Sequence, residues 1–280
     1  MSMVSEEEQR AARAKVITAL GVFALVLVAV IIGLIWAGHQ SSPAGSDAGA
    51  APSDAATPPA AAGSGGPAAP GGWDVAAETA LATRLMRQFP DTASMPQTLA
   101  PSGLPVIDVP DPTRTNTSGV GEGFPATPEG AIGQLAALEV VGLADLNPDT
   151  YNAVYRSVSL PGAPDPAATP LGVQVDKVYS QVVLQGSTGQ PISSRWQLAG
   201  AQVKGVTSGG RSVVVCVAGE LQLAQVNSAQ TGTGDCQAMR WTGSDWRIAP
   251  VPVASAAPVT WPGSPAFVQA GYHPTNGGPV

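Results

Sequence analysis

Apolar side chains are patterned in three different ways along this chain. From Val16 to Ala37 they run for 22 residues without a charge, enough for one helix rising ~1.5 Å per residue to cross a ~30 Å hydrocarbon layer. Residues 38–72 then carry no large apolar side chain. From Asp74 the spacing becomes helical, and beyond Ser193 it alternates.

In the helical part, Asp74 stands at a cap position and Leu81, Leu85 and Phe89 follow four apart, which predicts a helix ended by Pro90. Residues 91–123 are proline-rich with little period. They read as an extended arm that packs through Leu104, Val106 and Ile107. Thr127-Pro128-Glu129 supplies an N-cap, proline at the first helical position and an acid in the first turn, predicting a helix to about Val141. Ile132, Leu135, Ala136 and Glu139 fall within its pattern, and Ala131, Gly133 and Ala137 keep its surface narrow enough to lie on a sheet. Asn147-Pro148-Asp149 opens a shorter helix carrying Tyr151, Val154, Tyr155 and Val158, and 161–170 is a loop. Over 171–185 the spacing of Leu171, Val175, Val178 and Val182 is helical while the valine content suits a strand, so both readings stand.

The alternating part reads as an antiparallel meander. Trp196 and Leu198 share one parity, Ala201 and Val203 the other, as a bulge at Ala199-Gly200 would produce. Val213, Val215, Val217, Leu221 and Leu223 then line one face, with Cys216, Glu220 and Gln222 opposite. NSAQTGTGD reads as a polar loop, after which Met239, Trp241, Trp246 and Ile248 point inward and Cys236, Ala238 and Arg240 outward. Cys216 and Cys236 thus have the parity that a disulfide across neighbouring antiparallel strands requires. Closing a loop of about 20 residues adds roughly 3 kcal/mol.

Charge sets orientation. Arg10, Arg13 and Lys15 precede the apolar run and no Lys or Arg follows it until Arg84, so the N-terminus is expected in the cytoplasm and the rest outside a cell membrane crossed once. A cleaved secretory signal is the alternative, but its apolar part is usually about 7–15 residues long. The expected organisation is a cytoplasmic lead 1–15, a transmembrane helix 16–37, and a disordered Pro/Ala/Gly linker 38–72 spanning roughly 30–35 Å. An exported domain 73–250 follows, with its Pro-rich arm at 91–123, and then a Pro/Gly-rich tail 251–280. Export permits the disulfide. A net charge of −7 gives no electrostatic footprint for nucleic acid, so none is expected as a direct partner. The tail spaces out Trp261, Phe267 and Tyr272, either as anchors for a partner or as an end laid against its own domain or left loose.

Candidate chemistry is sparse. The two histidines, His39 and His273, fall in ends expected to be disordered. Asp176 with Tyr179 or Tyr155 is the best carboxylate and phenol set, and each reads more simply as a surface acid or a core tyrosine. Gly119, Gly121 and Gly123 lack the preceding strand that a phosphate-binding loop needs. No catalytic, cofactor-binding or metal-ligating residue is assigned. Asn116-Thr117-Ser118 matches a glycosylation acceptor, a pattern common by chance.

With its N-terminal anchor, low-complexity linker, GFPATPEGAIGQLAAL helix start and terminal RWTGSDWRI, the chain resembles the membrane-anchored proteins of actinobacterial conjugative elements. Their exported parts are similar to the NTF2-like domains of TcpC and VirB8. The resemblance implies an α+β fold, a cone of helices packed on a curved antiparallel sheet. It implies a non-catalytic subunit of an envelope-spanning conjugation or type IV secretion-like channel, with other channel subunits as partners and a homo-oligomer compatible with that role. It brings no catalytic residues. Two other functions fit the same cone: an extracytoplasmic domain binding lipid, cell-wall fragment or peptide, and an isomerase or dehydratase.

Overall fold

The computed structural model describes residues 72–100, 103–184, 193–224 and 228–276. The charged lead, the apolar run 16–37 and the linker through residue 71 lie outside the described residues. Among those described, no helix is long and apolar enough to cross a membrane. The fold is α+β and centres on a five-stranded antiparallel sheet in the order β6-β5-β4-β3-β7. Its long strands are β3 (Ser193–Thr207), β4 (Ser212–Ala224) and β5 (Ser228–Trp241), with β6 (Trp246–Ile248) at one edge and β7 (His273–Pro274) at the other, while β1 (Arg114–Thr115) and β2 (Gly121–Glu122) form a separate two-stranded antiparallel ribbon.

The expected bulge is present: the β3–β4 register shifts between Leu198 and Gly200, and again between Val203 and Gly205. NSAQTGTGD is a correction, because Ser228 onward is strand and pairs with β4 without a break, Ala224 against Ser228 through Ser212 against Arg240. Its polar residues read as a loop, yet Thr231, Thr233 and Asp235 simply continue the inward parity of Met239. Gly232 is needed because the chain's C-terminal segment crosses there; any side chain would collide with the Thr260 carbonyl.

Three helices cover the inward face: α2 (Pro128–Gly142), α3 (Pro148–Ser157) and α4 (Pro170–Leu184). Their starts follow the predicted chemistry, the Thr127 hydroxyl accepting from the Gly130 amide at 3.2 Å and the Asn147 side chain from the Asp149 amide at 2.9 Å. Of the ambiguous 171–185 stretch, the described residues through Leu184 are helix. Ile132, Leu135, Leu138, Tyr151, Tyr155, Trp196, Val215, Met239, Trp246 and Ile248 make the main core.

The outward face carries a second core, which the sequence did not announce. Val214, Cys216, Ala218, Cys236 and Ala238 are covered by α1 (Val75–Thr83) and by the C-terminal segment, through Val251, Ala254, Ala257, Phe267 and Tyr272. The expectation of a tail beginning at 251 is therefore corrected: the folded unit continues to Asn276. Phe267, in the short helix α5 (Pro265–Gln269), and Tyr272 are stacked 5.2 Å apart and buried. The arm is laced to this segment by Ala100 N to Gly263 O, Ile107 N to Pro274 O and Asn276 N to Ile107 O.

Cys216 and Cys236 are register partners and form the disulfide. Met86 lies over it, its sulfur 3.6 Å and 3.5 Å from the two Sγ atoms. Reduction is expected to lower stability by about 3 kcal/mol, read as a fall in the urea midpoint with and without a dithiol; an unchanged midpoint would contradict it.

The first helix stops earlier than predicted. It ends at Thr83, and Leu85, expected on its apolar face, is 88% exposed. The cause is Lys204 on β3, whose ammonium donates to the Ala82 carbonyl at 3.1 Å, the Arg84 carbonyl at 2.7 Å and Ser255 Oγ at 3.0 Å. These bonds satisfy the last carbonyls of α1 and turn the chain away before Pro90.

Where the chain enters the domain it is clamped. Trp73 lies between the guanidinium groups of Arg211 and Arg240, each 4.6 Å from its ring centroid. Arg240 Nε donates to Glu78 at 2.8 Å, and Ser208 Oγ bridges Glu78 Oε1 and the Asp74 amide at 3.0 Å each.

Candidate functional site

Titratable groups are brought together away from water inside the main core. Glu139, on α2, and Asp235, on β5, are 1% and 2% exposed. Tyr151 and Tyr155, one turn apart on α3, close over them and are fully buried. Tyr155 Oη donates to Gln237 Oε1 at 3.2 Å, and Gln237 Nε2 donates to Asp235 Oδ2 at 2.8 Å. Beyond Asp235, Trp196 Nε1 donates to Thr233 Oγ1 at 2.8 Å. Asp235 is the group that the Glu139 carboxyl meets, and neither Glu139 oxygen has any other hydrogen-bond partner among the described residues. The Tyr151 hydroxyl approaches Thr169 without a hydrogen bond of ordinary geometry.

Electrostatics follow from burial. Desolvation, then the neighbouring Asp235 charge, holds the Glu139 carboxyl well above the usual range. Asp235 is pushed up to about 6 by burial, against hydrogen bonds from Gln237, the Cys236 backbone and Glu139 that favour its ionised form. Both phenols are raised, first by burial and then by the carboxyls. An acid that keeps its proton beside one that gives it up is the arrangement from which general acid–base chemistry is built. Here every member is enclosed by the chain's own side chains.

The sequence-level candidates are dispersed. Tyr155 joins this cluster, but Asp176 is exposed on α4 and Tyr179 is half-buried there, so the proposed carboxylate and phenol set does not form around Asp176. Of the aromatic anchors, Phe267 and Tyr272 are core residues at 2% and 0% exposure, and Trp261 is half-buried with its amide bonded to the Ala93 carbonyl. The two buried rings are spent on the outward core, so of the readings open for them they are an end laid against its own domain and not free partner anchors. His273 lies in β7, its Nδ1 3.2 Å from the Pro105 carbonyl, and His39 lies outside the described residues. Asn116 uses its amide on Glu122 and Ser157 and its side-chain oxygen on the Ser118 and Val120 backbone, a structural job for the glycosylation-like triplet. Among the described residues no group of His, Cys, Asp and Glu could hold a metal ion.

The two motifs that carried the resemblance meet in space. Trp246 Nε1 donates to the Pro125 carbonyl at 2.8 Å, and the Gly123 amide donates to Asp245 at 3.2 Å. Arg114 pairs with Asp245 and Arg247 with Glu122, the latter at 2.8 Å, and the Arg114 bond holds the Asp245 carboxyl below its ordinary range. GFPATP and SDWRI are thus two halves of one structural joint between the start of α2 and the edge strand β6.

Sequence reading missed Glu139 and Asp235 as a pair. One signal was available: Asp235 has the inward parity of Met239, where a strand facing a core calls for an apolar residue.

Helices on one face of an antiparallel sheet, a laced arm and tail on the other, and an enclosed carboxyl pair define an α+β domain. Comparison of the chain with family models, with curated proteins and with solved structures gives no match.

Proposed function

We propose that this chain is a non-catalytic structural subunit of an envelope-spanning channel of the conjugation or type IV secretion kind. It would be held in the cell membrane by residues 16–37 and act through contacts of its exported NTF2-like domain with other channel subunits. The observation that carries this reading is the clamp at the chain's entry. Trp73, held by two arginines and tied through Arg240 to the buried Glu78, fastens the end of the linker onto β5, through Arg240, and onto the turn between β3 and β4, through Arg211. A domain tethered through a long linker and built into an assembly takes strain at that point, and the buried ion pair with its ring sandwich resists it. Both sheet faces are covered by the chain's own elements, which leaves the outer surface as the contact region.

The test is crosslinking in intact cells, followed by mild-detergent purification of the tagged full-length protein and mass spectrometry. Recovery of a conjugation ATPase or polytopic channel proteins in a large complex is the expected result. A lone monomer, or one carrying a lipid or small molecule, would overturn the proposal.

A further inference from the structure

Two carboxyl groups in contact repel when both are ionised and bond when one proton lies between them. Glu139 and Asp235 are in that position, and among the described residues no positive charge acts on either. From α3 come the phenols of Tyr151 and Tyr155, and from the approach to α4 comes Thr169. Asp165 acts on Tyr155 from the surface, where it pairs with Arg156 at 3.3 Å. On β5 the neighbour is the Gln237 amide, and on β4 the register partner of Asp235 is Val217. Leu171 and Val175 of α4 complete the apolar surround. No lysine, arginine or histidine is among the groups acting on either carboxyl.

The Gln237 amide and the Cys236 backbone both donate to Asp235, while Glu139 has no donor of its own. That asymmetry places the negative charge on Asp235 and the proton on Glu139.

We propose that Glu139 donates a retained proton to Asp235 at neutral pH and that this single proton is a latch between α2 and β5, opened when alkaline conditions remove it. Its loss leaves two buried charges with no counterion among the described groups around them, and α2 can relieve them only by moving off the sheet. Acid has the opposite effect, because a proton on Asp235 removes the last charge. The device belongs to the domain itself and holds for a monomer as well as an assembly, so it stands apart from the channel reading.

The experiment uses the full-length protein in mild detergent. Infrared spectra should show a protonated-carboxyl stretching band at neutral pH that disappears on alkaline titration, and that is missing from Glu139→Gln at every pH where the other acids are ionised. Hydrogen exchange of the 136–142 amides, corrected for intrinsic base catalysis, should report about tenfold more opening in alkali than at neutral pH. In Glu139→Gln the opening should not change with pH. A wild-type protein with no protonated-carboxyl band at neutral pH, or with 136–142 opening independent of pH, would overturn the proposal. Both are read on the wild type, so they decide the matter even where the glutamine variant does not fold.

Discussion

A chain ended after Pro250 is expected not to fold at room temperature. Truncation removes Val251, Ala254, Ala257, Phe267 and Tyr272 from the outward core and exposes Val214, Ala218, Ala238 and the disulfide beneath them. Emptying the Phe267 site alone, as Phe267→Ala, costs about 3–5 kcal/mol, against a total stability of about 5–15 kcal/mol for a domain. The backbone loses its partners too. Ser255 N to Ala82 O holds the end of α1, while Trp261 N to Ala93 O and Ile107 N to Pro274 O hold the arm. Near-ultraviolet circular dichroism and urea unfolding of the truncated protein should show no cooperative transition. A truncated chain that melts within a few degrees of the full one would mean that the segment is an appendage, and would return Trp261, Phe267 and Tyr272 to the role of partner anchors.

That segment shows why part of this fold could not be read from the sequence. Period-2 alternation is legible when large apolar residues oppose polar ones, as Leu221 and Leu223 do against Glu220 and Gln222 in β4. The outward face of the same strands carries Cys216, Ala218, Cys236 and Ala238, small enough to pass for surface positions. The segment that covers it is built from alanine and proline, whose composition reads as a loose end. Small residues on both sides allow close approach, so the outward core is thin yet fully buried.

Local chemistry was legible wherever the deciding atoms lie close in sequence. Thr127-Pro128 and Asn147-Pro148 announce helices because cap and capped amide lie within three residues. The bulge and the disulfide followed from parity. The early end of α1 was not legible, since the group that ends it, Lys204, arrives from 120 residues away. The candidate site failed for a related reason. Tyr155 was singled out, but its partners are Gln237 and, through it, Asp235, and Glu139, although it fell in the same helix pattern as Ile132 and Leu135, has no visible acidic partner until the sheet closes over it.

Breaking the Glu78–Arg240 pair on one side is expected to cost about 3–5 kcal/mol, because it leaves the other member buried without its partner. Glu78 is fully buried and Arg240 is 6% exposed, with Arg240 Nη2 2.6 Å from Glu78 Oε2. In Arg240→Met the carboxylate keeps only the Ser208 hydroxyl, and Trp73 loses one of its two guanidinium neighbours. In Glu78→Leu the guanidinium keeps the ring but no acid. Replacing both together, Glu78→Leu with Arg240→Met, removes the two charges and fills their space with apolar atoms. It should be far less harmful than either single change, the signature of a pair whose desolvation nearly cancels its attraction. Urea unfolding of the four proteins gives the coupling energy directly. Single variants that each lose less than about 1 kcal/mol would show that the pair behaves as a surface salt bridge. The linker's entry would then be fastened by the Trp73 sandwich alone, and the mechanical argument for an anchored subunit would lose its main support.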